Sequence, residues 1–527
     1  MFGFFLISYF IYIAIKSKIA LQMLQQNFYN ESNRYLKWSI KNKYKSYITI
    51  DLLGFFVVLI IYFLEKPTFS YLLFFIFYAS ISYITIKKNK QEQVKKPLKI
   101  TFRIKRLIFT ESLLFVILLI FIWQNFNSYY LWFYYLILIS LASLIYVVVY
   151  LAYVINLPIE KLTYLKYKRR AKRKLEIMKI PTVGITGSYG KTSSKNILAD
   201  ILSVKYRAFP SPTNLNTPLG LMLTVNNYLD KFEQIFIPEM AACITGEIKR
   251  ICDFIKPTYG IITNIGLAHL ETFKTEENIQ KTKFELIEAL PNNGIGILNK
   301  DDPKQVAYKI KNDCQIKWIG IENKDVDLYA QNIDYNSKGM TFDAVFTKDN
   351  KTVSFETKLL GIPNVYNILA ALLVSQSFNL TYEEMQRGVK NIKPITHRLE
   401  LKRVGDLNII DDAYNSNPVG SKMALEVLKI MPGKKIVVTP GMIELKDKQY
   451  ELNKLFGEYI ADVADYVILV GEKQTKPIYD GLMAKDYHKK QISIVNDVKL
   501  AFPIINKIKD KETFVLLEND LPDLFNE

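Results

Sequence analysis

The sequence predicts an α/β protein with a multi-helix transmembrane region, a P-loop domain in the middle and a Rossmann-like α/β domain at the C-terminus. Three observations predict this architecture. Long apolar runs occupy residues 1–160, a glycine-rich turn between a strand and a helix lies at 182–193, and short apolar strands alternate with helical patterns from there onward. We place a basic cytoplasmic linker at 161–180, the P-loop domain at 181–400 and the C-terminal domain at 401–527.

The charge of the chain is divided unevenly. Half of the 527 residues are hydrophobic, and the net charge is +18. Residues 1–180 carry 26 Lys and Arg against 7 Asp and Glu, whereas the remaining residues carry 43 against 44. Because the positive charge lies between apolar runs and not on a soluble domain, it argues against nucleic acid as a partner.

Five apolar runs predict membrane-spanning helices, since each approaches the roughly 20 residues that a helix needs to cross a bilayer. With five spans, the segments rich in lysine and arginine at 16–46, 87–106 and 161–174 all fall on one side, which the positive-inside rule assigns to the cytoplasm. The sequence therefore predicts a multi-pass protein of the cell inner (cytoplasmic) membrane, surrounded by membrane lipid, with its catalytic domains in the cytoplasm. The runs are 1–15, 47–64, 70–86, 107–124 and 129–154.

Two acidic residues, Asp51 and Glu111, lie within these runs or at their edges. Carboxylates inside a membrane can mark a lipid or ion site. Both lie within about one helical turn of the basic side, so we interpret them as interfacial carboxylates that face water. The basic segment 161–174 could also bind anionic lipid headgroups, although the positive-inside bias explains its charge better.

The glycine-rich turn indicates a phosphate site. Backbone amides can turn toward an anion at glycines, and a helix that begins near Lys191 points its positive end at the same place. Lys191 would reach the β- and γ-phosphates of ATP, and the Thr192 hydroxyl would bind the accompanying Mg²⁺. A strict P-loop pattern needs a glycine at the position of Ile185, so the match fails there. The predicted nucleotide-binding residues of the turn are Thr186, Gly187, Ser188, Gly190, Lys191, Thr192 and Ser193.

The rest of the chain predicts two sheets covered by helices. Only three cysteines occur, without paired spacing, so neither a disulfide framework nor a zinc ribbon is indicated. Strand-like alternation extends over 314–358. The predicted strands are 182–185, 234–238, 259–263, 294–298, 407–410, 435–439, 466–470, 492–494 and 513–517, and the predicted helices are 191–204, 245–255, 278–290 and 364–377.

Seven further motifs follow the turn, in a consistent order. They are Thr213–Pro218 (TNLNTP), Pro238–Ala242 (PEMAA), Thr263–Leu270 (TNIGLAHL), Lys281–Lys283 (KTK), Asn299–Asp302 (NKDD), His397–Glu400 (HRLE) and Asp411–Pro418 (DDAYNSNP). In this order and spacing, the chain from residue 181 to its end resembles the Mur ligase family, the ATP-dependent amide-forming enzymes of peptidoglycan precursor synthesis. It looks most like the branch of that family that adds D-alanyl-D-alanine to UDP-N-acetylmuramoyl-tripeptide.

The resemblance implies a reaction and a metal site. In the family, ATP phosphorylates a carboxylate, and an amine then displaces phosphate from the acyl phosphate. By analogy, Thr192 and Glu239 would hold one Mg²⁺ and His269 would serve a second metal ion. Lys283 would be carbamylated and become a metal ligand, and alignment on the following Phe-Glu-Leu-Ile favours it over Lys281.

The resemblance also assigns roles at the nucleotide. Lys191 and Arg398 would contact the phosphates during catalysis, Asp412 would meet the ribose and Asn367 would lie near the adenine. Pro363 stands where the family usually has a histidine, which leaves the phosphate and metal groups intact.

The membrane region departs from the family, because a soluble domain that binds the UDP-sugar usually stands in its place. The acceptor could therefore be a UDP-linked or a lipid-linked muramoyl-peptide, with an amino acid or a dipeptide as the amine. Three alternatives are an amidating Mur-like enzyme with a glutaminase partner, a non-catalytic nucleotide-binding membrane scaffold and an ATP-driven transporter. The absence of zinc-ribbon cysteines argues against the amidating enzyme, and the complete set of catalytic residue types argues against the scaffold. The absence of transporter motifs argues against the transporter.

Overall fold

The computed structural model separates into two compact units, Met1–Leu165 and Lys166–Glu527. Each unit has its own buried apolar cluster. The structure describes residues 2–27, 29, 33–47, 49–64, 67–91, 97–124, 131–212, 215–266, 270–336, 339–413, 418–443 and 445–519.

In the described residues of the first unit, helices are joined by short irregular segments. Four of its helices are long and apolar enough to cross a membrane, over Leu6–Gln26, Phe69–Lys88, Phe102–Gln124 and Ile145–Met178. The helices are α1 (Phe2–Gln26), α2 (Arg34–Lys41), α3 (Lys43–Ser46), α4 (Gly54–Leu64), α5 (Pro67–Gln91), α6 (Phe102–Gln124), α7 (Leu131–Ser143) and α8 (Ile145–Met178), of which α8 continues into the second unit.

At 47–64 the described residues do not form one continuous helix of spanning length. A 3-10 turn covers Ile50–Leu53, and the 11-residue helix α4 that follows is about 16 Å long, short of a bilayer core. The run at 129–154 is divided at Leu144 between α7 and α8, yet the Leu144 amide still donates to the Ser140 carbonyl at 2.9 Å. In the described part of the chain, four helices therefore have the length of a span.

The prediction that Asp51 and Glu111 face water is wrong. Asp51 is fully buried and Glu111 is 5% exposed. The Lys16 ammonium lies 2.9 Å from an Asp51 carboxylate oxygen, and the Ser17 hydroxyl donates to Glu111 at 2.7 Å. Helix α1 supplies both partners, because it continues eleven residues beyond the apolar run that ends at residue 15.

The described residues of the second unit form two large sheets and one two-stranded sheet, and the first large sheet has the strand order β1-β4-β5-β6-β7-β8-β9. Strands β1 to β7 of this sheet pair in parallel, and β7, β8 and β9 form an antiparallel meander. The short strands β2 and β3 pair with each other. The strands are β1 (Val183–Thr186), β2 (Ala208–Pro210), β3 (Ile235–Ile237), β4 (Tyr259–Ile262), β5 (Ile295–Asn299), β6 (Gln315–Gly320), β7 (Leu328–Asn336), β8 (Gly339–Phe346) and β9 (Lys351–Thr357).

Helices cover this sheet and lead away from the ends of its strands. Apolar residues of α9 and α15 form one continuous core with the strands, as expected for a parallel sheet with buried faces. The helices are α9 (Lys191–Leu202), α10 (Pro218–Asn227), α11 (Glu247–Ile255), α12 (Leu270–Phe273), α13 (Glu276–Glu288), α14 (Pro303–Val306), α15 (Ile362–Ser377) and α16 (Tyr382–Lys390).

The second sheet has the order β10-β11-β15-β12-β13-β14, with an antiparallel β10–β11 hairpin at one edge and parallel pairing elsewhere. The predicted strands of both sheets agree with the observed ones to within two residues. The elements are β10 (Glu400–Val404), β11 (Leu407–Asp412), α17 (Pro418–Ile430), β12 (Lys434–Thr439), α18 (Gln449–Ala461), β13 (Tyr466–Val470), α19 (Glu472–Ala484), β14 (Ile492–Val495), α20 (Ala501–Ile508) and β15 (Thr513–Glu518).

The basic segment that we predict to be a linker is helical, because α8 runs without a break to Met178. Within the second unit, the C-terminal part of α8 packs against α10. The Asn226 side chain of α10 donates to the Tyr167 carbonyl at 3.0 Å, and Ala171 is fully buried. This part of α8 therefore belongs to the folded domain.

Candidate active site

The turn between β1 and α9 needs both of its glycines. Gly187 has a φ of 151°, and a Cβ there would come within 1.9 Å of the Thr263 hydroxyl oxygen. Gly190 has a φ of 77° and is the N-cap of α9. The first amides of α9 therefore face the turn without intrahelical acceptors, which makes this helix end a place for an anion.

A second loop, which follows β4, holds the turn in shape. The Ser188 amide donates to the Asn264 carbonyl at 3.0 Å, and the Tyr189 amide donates to the Asn264 side chain at 2.9 Å. The Gly266 amide in turn donates to the Ser188 hydroxyl at 2.9 Å. Asn264 and Gly266 therefore position the phosphate turn, a role that their motif alone does not reveal.

The Lys191 ammonium lies on the inner side of this turn. It donates to the Gly187 carbonyl at 2.8 Å and to the Ser188 carbonyl at 3.0 Å. Burial lowers the pKa of Lys191 to about 8, with the Glu239 carboxylate acting against the shift and the Arg398 charge adding to it. A polyphosphate at the turn would replace two neutral carbonyls as partners of this ammonium.

Glu239 faces the beginning of α9. A β-bridge between Ile185 and Glu239 fixes its backbone next to β1. The Thr192 hydroxyl donates to one carboxylate oxygen at 2.9 Å, and the Asn216 amide donates to the other at 3.0 Å. Burial alone would raise the pKa of Glu239, but the neighbouring Lys195 charge and these hydrogen bonds hold it below its usual value.

The residues around Thr192 fit a magnesium ion bound with a nucleotide. A carboxylate and a hydroxyl at the end of the phosphate turn are hard oxygen donors, which suit Mg²⁺. Among the described residues, no cluster of three or more His, Cys, Asp or Glu side chains could hold a metal ion. The ion would therefore take its other ligands from phosphate and water, as Mg²⁺ commonly does. His269, which we predict to serve a second metal, lies outside the described residues.

Lys283 lies on α13 and is only 3% exposed, with its ammonium 5.7 Å from the centre of the Phe273 ring. Burial, together with the nearby Lys191 charge, lowers its pKa to about 7. A substantial fraction of this amine is therefore neutral near pH 7, which is the form that reacts with carbon dioxide. Lys281, two residues earlier, is exposed, so the structure separates the two lysines that the motif leaves close together.

Asn367 lies on the other side of the turn. It is 6% exposed on α15, and its side-chain oxygen would lie 3.5 Å from a Cβ added at Gly190. The structure therefore brings Asn367 to the phosphate turn. The contact with adenine that the family resemblance implies for Asn367 stays a prediction.

Arg398 lies in the segment that joins the two sheets. Its neighbours His397 and Leu399 both have left-handed backbones, with φ of 61° and 48°. The His397 ring contacts the Asp411 carboxylate at 2.8 Å, and the Leu399 amide donates to Asp412 at 3.1 Å. These contacts join the strained segment to the end of β11 and hold Arg398 between them.

Asp412 is placed at the same end of β11. Burial raises its pKa to about 6, while the Leu399 amide and the Arg398 charge act against that rise. The Arg398 charge lowers the pKa of both Asp412 and Lys191, so Arg398 lies near the phosphate turn as well as near the end of β11.

A cleft of about 480 Å³ lies beside the phosphate turn. Thr192 at the beginning of α9 and Arg398 of the joining segment both line it. The other lining residues are Asn196, Ala199, Asp200, Pro210, Lys393, Pro394, Ile395, Thr396 and His397.

Two family profiles match the chain over these elements. Residues 185–375 match the profile described as Mur ligase middle domain, and residues 397–517 match the one described as Mur ligase, glutamate ligase domain. The first range includes the phosphate turn, Glu239 and Lys283, and the second includes Arg398 and Asp412.

Individual relatives agree with the profiles. The UDP-N-acetylmuramoyl-tripeptide--D-alanyl-D-alanine ligase of Bacillus subtilis (strain 168) is 31% identical over 353 residues, which are 66% of this chain and 75% of that protein. The enzyme of the same name from Escherichia coli (strain K12) is 30% identical and covers 60% of this chain and 70% of its own. The MurF ligase of Thermotoga maritima in complex with ADP has a TM-score of 0.60 at 26% identity, over 69% of this chain and 81% of that one.

Proposed function

We propose that this chain, which belongs to the Mur ligase family, is the ATP-dependent ligase that joins D-alanyl-D-alanine to UDP-N-acetylmuramoyl-tripeptide. Members of the family are ATP-dependent, ADP-forming ligases of peptidoglycan precursor synthesis. The observation that carries the proposal is the convergence of Lys191, Thr192 and Glu239 at the phosphate turn, where Thr192 also lines a cleft together with Arg398.

The residues of the turn would bind the triphosphate of ATP. The helix end at Gly190 and the Lys191 ammonium supply positive charge where the β- and γ-phosphates would lie. Thr192 and Glu239 would hold Mg²⁺, which neutralises phosphate charge when bound. Arg398, which is always charged and has a planar set of donors, would bind the γ-phosphate.

The reaction needs little covalent chemistry from the protein. A carboxylate oxygen of the muramoyl-peptide bonds to the γ-phosphorus as the bond to the ADP oxygen breaks, which gives an acyl phosphate. The amine nitrogen then attacks the acyl carbon, inorganic phosphate leaves and the nitrogen loses a proton. The chain contributes orientation and fixed positive charge, the two effects that dominate phosphoryl transfer.

Lys283 would act as its carbamate. The neutral amine adds to carbon dioxide and releases a proton, which changes a buried neutral amine into an anion that can bind a metal ion. The lowered pKa and the burial of Lys283 support this modification. By the same family resemblance, Asn367 would lie near the adenine and Asp412 would bind the ribose.

The amine and the acceptor are taken from the relatives that carry the activity in their names. No contact of the described residues favours a lipid-linked acceptor, so we propose the UDP-linked tripeptide. The test uses the full-length protein purified in detergent, with ATP, UDP-muramoyl-tripeptide and D-alanyl-D-alanine, and measures ADP release and the mass of the product. Lys191→Ala should lose at least 100-fold in rate.

A matched control separates this site from general damage to the protein. Lys281→Met changes an exposed lysine and should retain the wild-type rate. Turnover that survives Lys191→Ala would contradict the assigned site. Folded wild-type protein that releases no ADP with any muramoyl-peptide and amine would favour the non-catalytic scaffold.

We also propose that the first unit anchors the enzyme in the cytoplasmic membrane. Its four long apolar helices and their exposed apolar side chains, such as Phe109, Phe121 and Trp123, support a lipid-facing surface. After cell lysis the protein should stay with the membranes through washes with high salt and with alkaline carbonate. Release by either wash would contradict the anchor.

A further inference from the structure

Lys195 is a buried lysine that the proposed reaction does not use. It lies on α9 one turn after Lys191, and its side chain is 1% exposed. A buried ammonium is costly unless it is paired and hydrogen-bonded. Lys195 meets that condition, because its Nζ atom donates to the Ser211 carbonyl at 2.7 Å and to a Glu239 carboxylate oxygen at 3.3 Å.

These contacts belong to a frame around Glu239. The Glu239 amide donates to the Ser211 hydroxyl at 3.0 Å, so Ser211 is bonded to Lys195 through its carbonyl and to Glu239 through its side chain. Asn216 donates to the Oε1 atom of Glu239, while Thr192 and Lys195 both reach Oε2. The carboxylate is therefore held from three sides.

We propose that Lys195 is a positioning residue that fixes the Glu239 carboxylate in the orientation needed to bind Mg²⁺ with a nucleotide. This inference rests on the proposed function. Thr192 and Glu239 would both offer lone pairs to the ion, so the contacts from Lys195 and Asn216 are those that keep the carboxylate oriented. A preorganised ligand loses less conformational freedom on binding.

The opposing effect is repulsion between the Lys195 ammonium and the cation. The distances decide between the two effects. The contact from Lys195 to Ser211 is short for a charge-assisted hydrogen bond, whereas the contact to Glu239 is about 0.5 Å longer than such bonds usually are. Ser211 therefore anchors the ammonium, which leaves the Glu239 oxygens available for a metal ion.

The test measures nucleotide binding, which does not require turnover. Purified full-length protein is titrated with Mg²⁺ at a fixed ADP concentration, and the shift of the unfolding temperature gives the half-saturating Mg²⁺ concentration. Lys195→Met should raise that concentration about tenfold, while ADP binding in EDTA stays within twofold of wild type. Lys205→Met, which changes a lysine on the exposed side of the same region, should leave both unchanged.

The outcomes separate this inference from the proposed function. A half-saturating Mg²⁺ concentration that is unchanged or lower in Lys195→Met would overturn the positioning role. If wild-type protein itself shows no Mg²⁺-dependent ADP binding, the proposed function fails first. Lys195→Gln keeps a donor for Ser211, and Lys195→Arg keeps the charge and should restore most of the Mg²⁺ affinity. If neither Lys195→Met nor Lys195→Gln unfolds cooperatively, Lys195 serves folding and the inference is wrong.

Discussion

Lys283 is buried and Lys191 is partly buried beside the candidate phosphate site, and the loss of hydration lowers the pKa of each, to about 7 for Lys283 and to about 8 for Lys191. A buried ammonium costs folding free energy, because it leaves water for surroundings of low polarity. Two lysines therefore occupy positions that are unfavourable for stability. Such positions are typical of catalytic and ligand-binding residues.

Replacement of Lys283 by methionine should make the nucleotide-free protein more stable and abolish its ligase activity. The pKa of this lysine falls from 10.5 in the unfolded chain to about 7 in the folded one, so near pH 7 the buried amine opposes folding. We expect a gain of about 1–3 kcal/mol. Thermal unfolding without bicarbonate measures it, and Lys281→Met is the control for a nearby exposed lysine.

The same pKa shift gives the pH dependence its sign. Between about pH 7 and 10.5 the unfolded chain binds more protons at this position than the folded one, so wild-type stability should rise with pH across that window. The Lys283→Met variant should lose this contribution. Equal pH slopes for the two proteins would contradict the burial of a titrating amine.

Gly187→Ala should damage the phosphate turn. The added Cβ would collide with Thr263, and the φ of 151° is itself unfavourable for alanine. The expected loss is about 2–4 kcal/mol of stability, together with loss of ADP binding. Gly405→Ala is the matched control, because its φ is also positive, at 60°, but nothing lies within 4 Å of the added atom. If both variants lost a similar amount of stability, backbone strain alone would explain the effect and the predicted collision with Thr263 would be contradicted.

At the scale of elements, predictions succeed where a strand is apolar and buried. Strand β1 and the strand Tyr466–Val470 are found at or within one residue of their predicted positions. Our sequence analysis does not predict strand β10, because Glu400–Val404 is an edge strand with charged side chains and no apolar alternation. Helix α16 was missed although Thr381 and Glu384 form a capping box, a signal that the sequence contains.

The membrane region shows why an apolar run is an incomplete guide to a helix. Within the run at 47–64, the 3-10 turn Ile50–Leu53 contains Asp51, which pairs with Lys16 from α1. The pair also contacts Thr49, Ser143 and the Ala142 carbonyl. A buried charge pair of this kind fixes which segments meet, whatever its net contribution to stability.

Lys16→Met should destabilise the first unit by about 3 kcal/mol, since it leaves the Asp51 carboxylate buried without its cation. The double variant Lys16→Met with Asp51→Asn should recover most of that loss. Thermal unfolding in detergent measures both variants. Lys18→Met changes an exposed lysine two residues later in α1 and should be as stable as wild type. A Lys16→Met variant that is equally stable would contradict the pairing.

At the scale of the whole molecule, the chain combines a helical unit with a ligase unit that the family profiles match. With the five spans of our sequence analysis, the positive-inside rule predicts that the ligase unit is cytoplasmic. Its three cysteines provide a direct test, because Cys243 is exposed whereas Cys252 and Cys314 are buried.

A membrane-impermeant maleimide should label Cys243 in inverted membrane vesicles and not in intact spheroplasts. Cys243→Ser should remove the labelling, since the two remaining thiols are buried. The measurement is the mass or fluorescence of the labelled protein after purification. Labelling of Cys243 from the outer face would contradict the predicted orientation.

The sequence alone determined the ligase family, the phosphate turn and most strands, because each depends on residues that are close together in the chain. The glycines of the turn, Lys191 and Thr192 lie within six positions, and a local pattern is enough to identify them. Only the tertiary structure decided which residues surround Glu239, that Lys283 and not Lys281 is buried, and that Asp51 is paired. These contacts join positions far apart in the chain, so they follow from packing and not from local pattern.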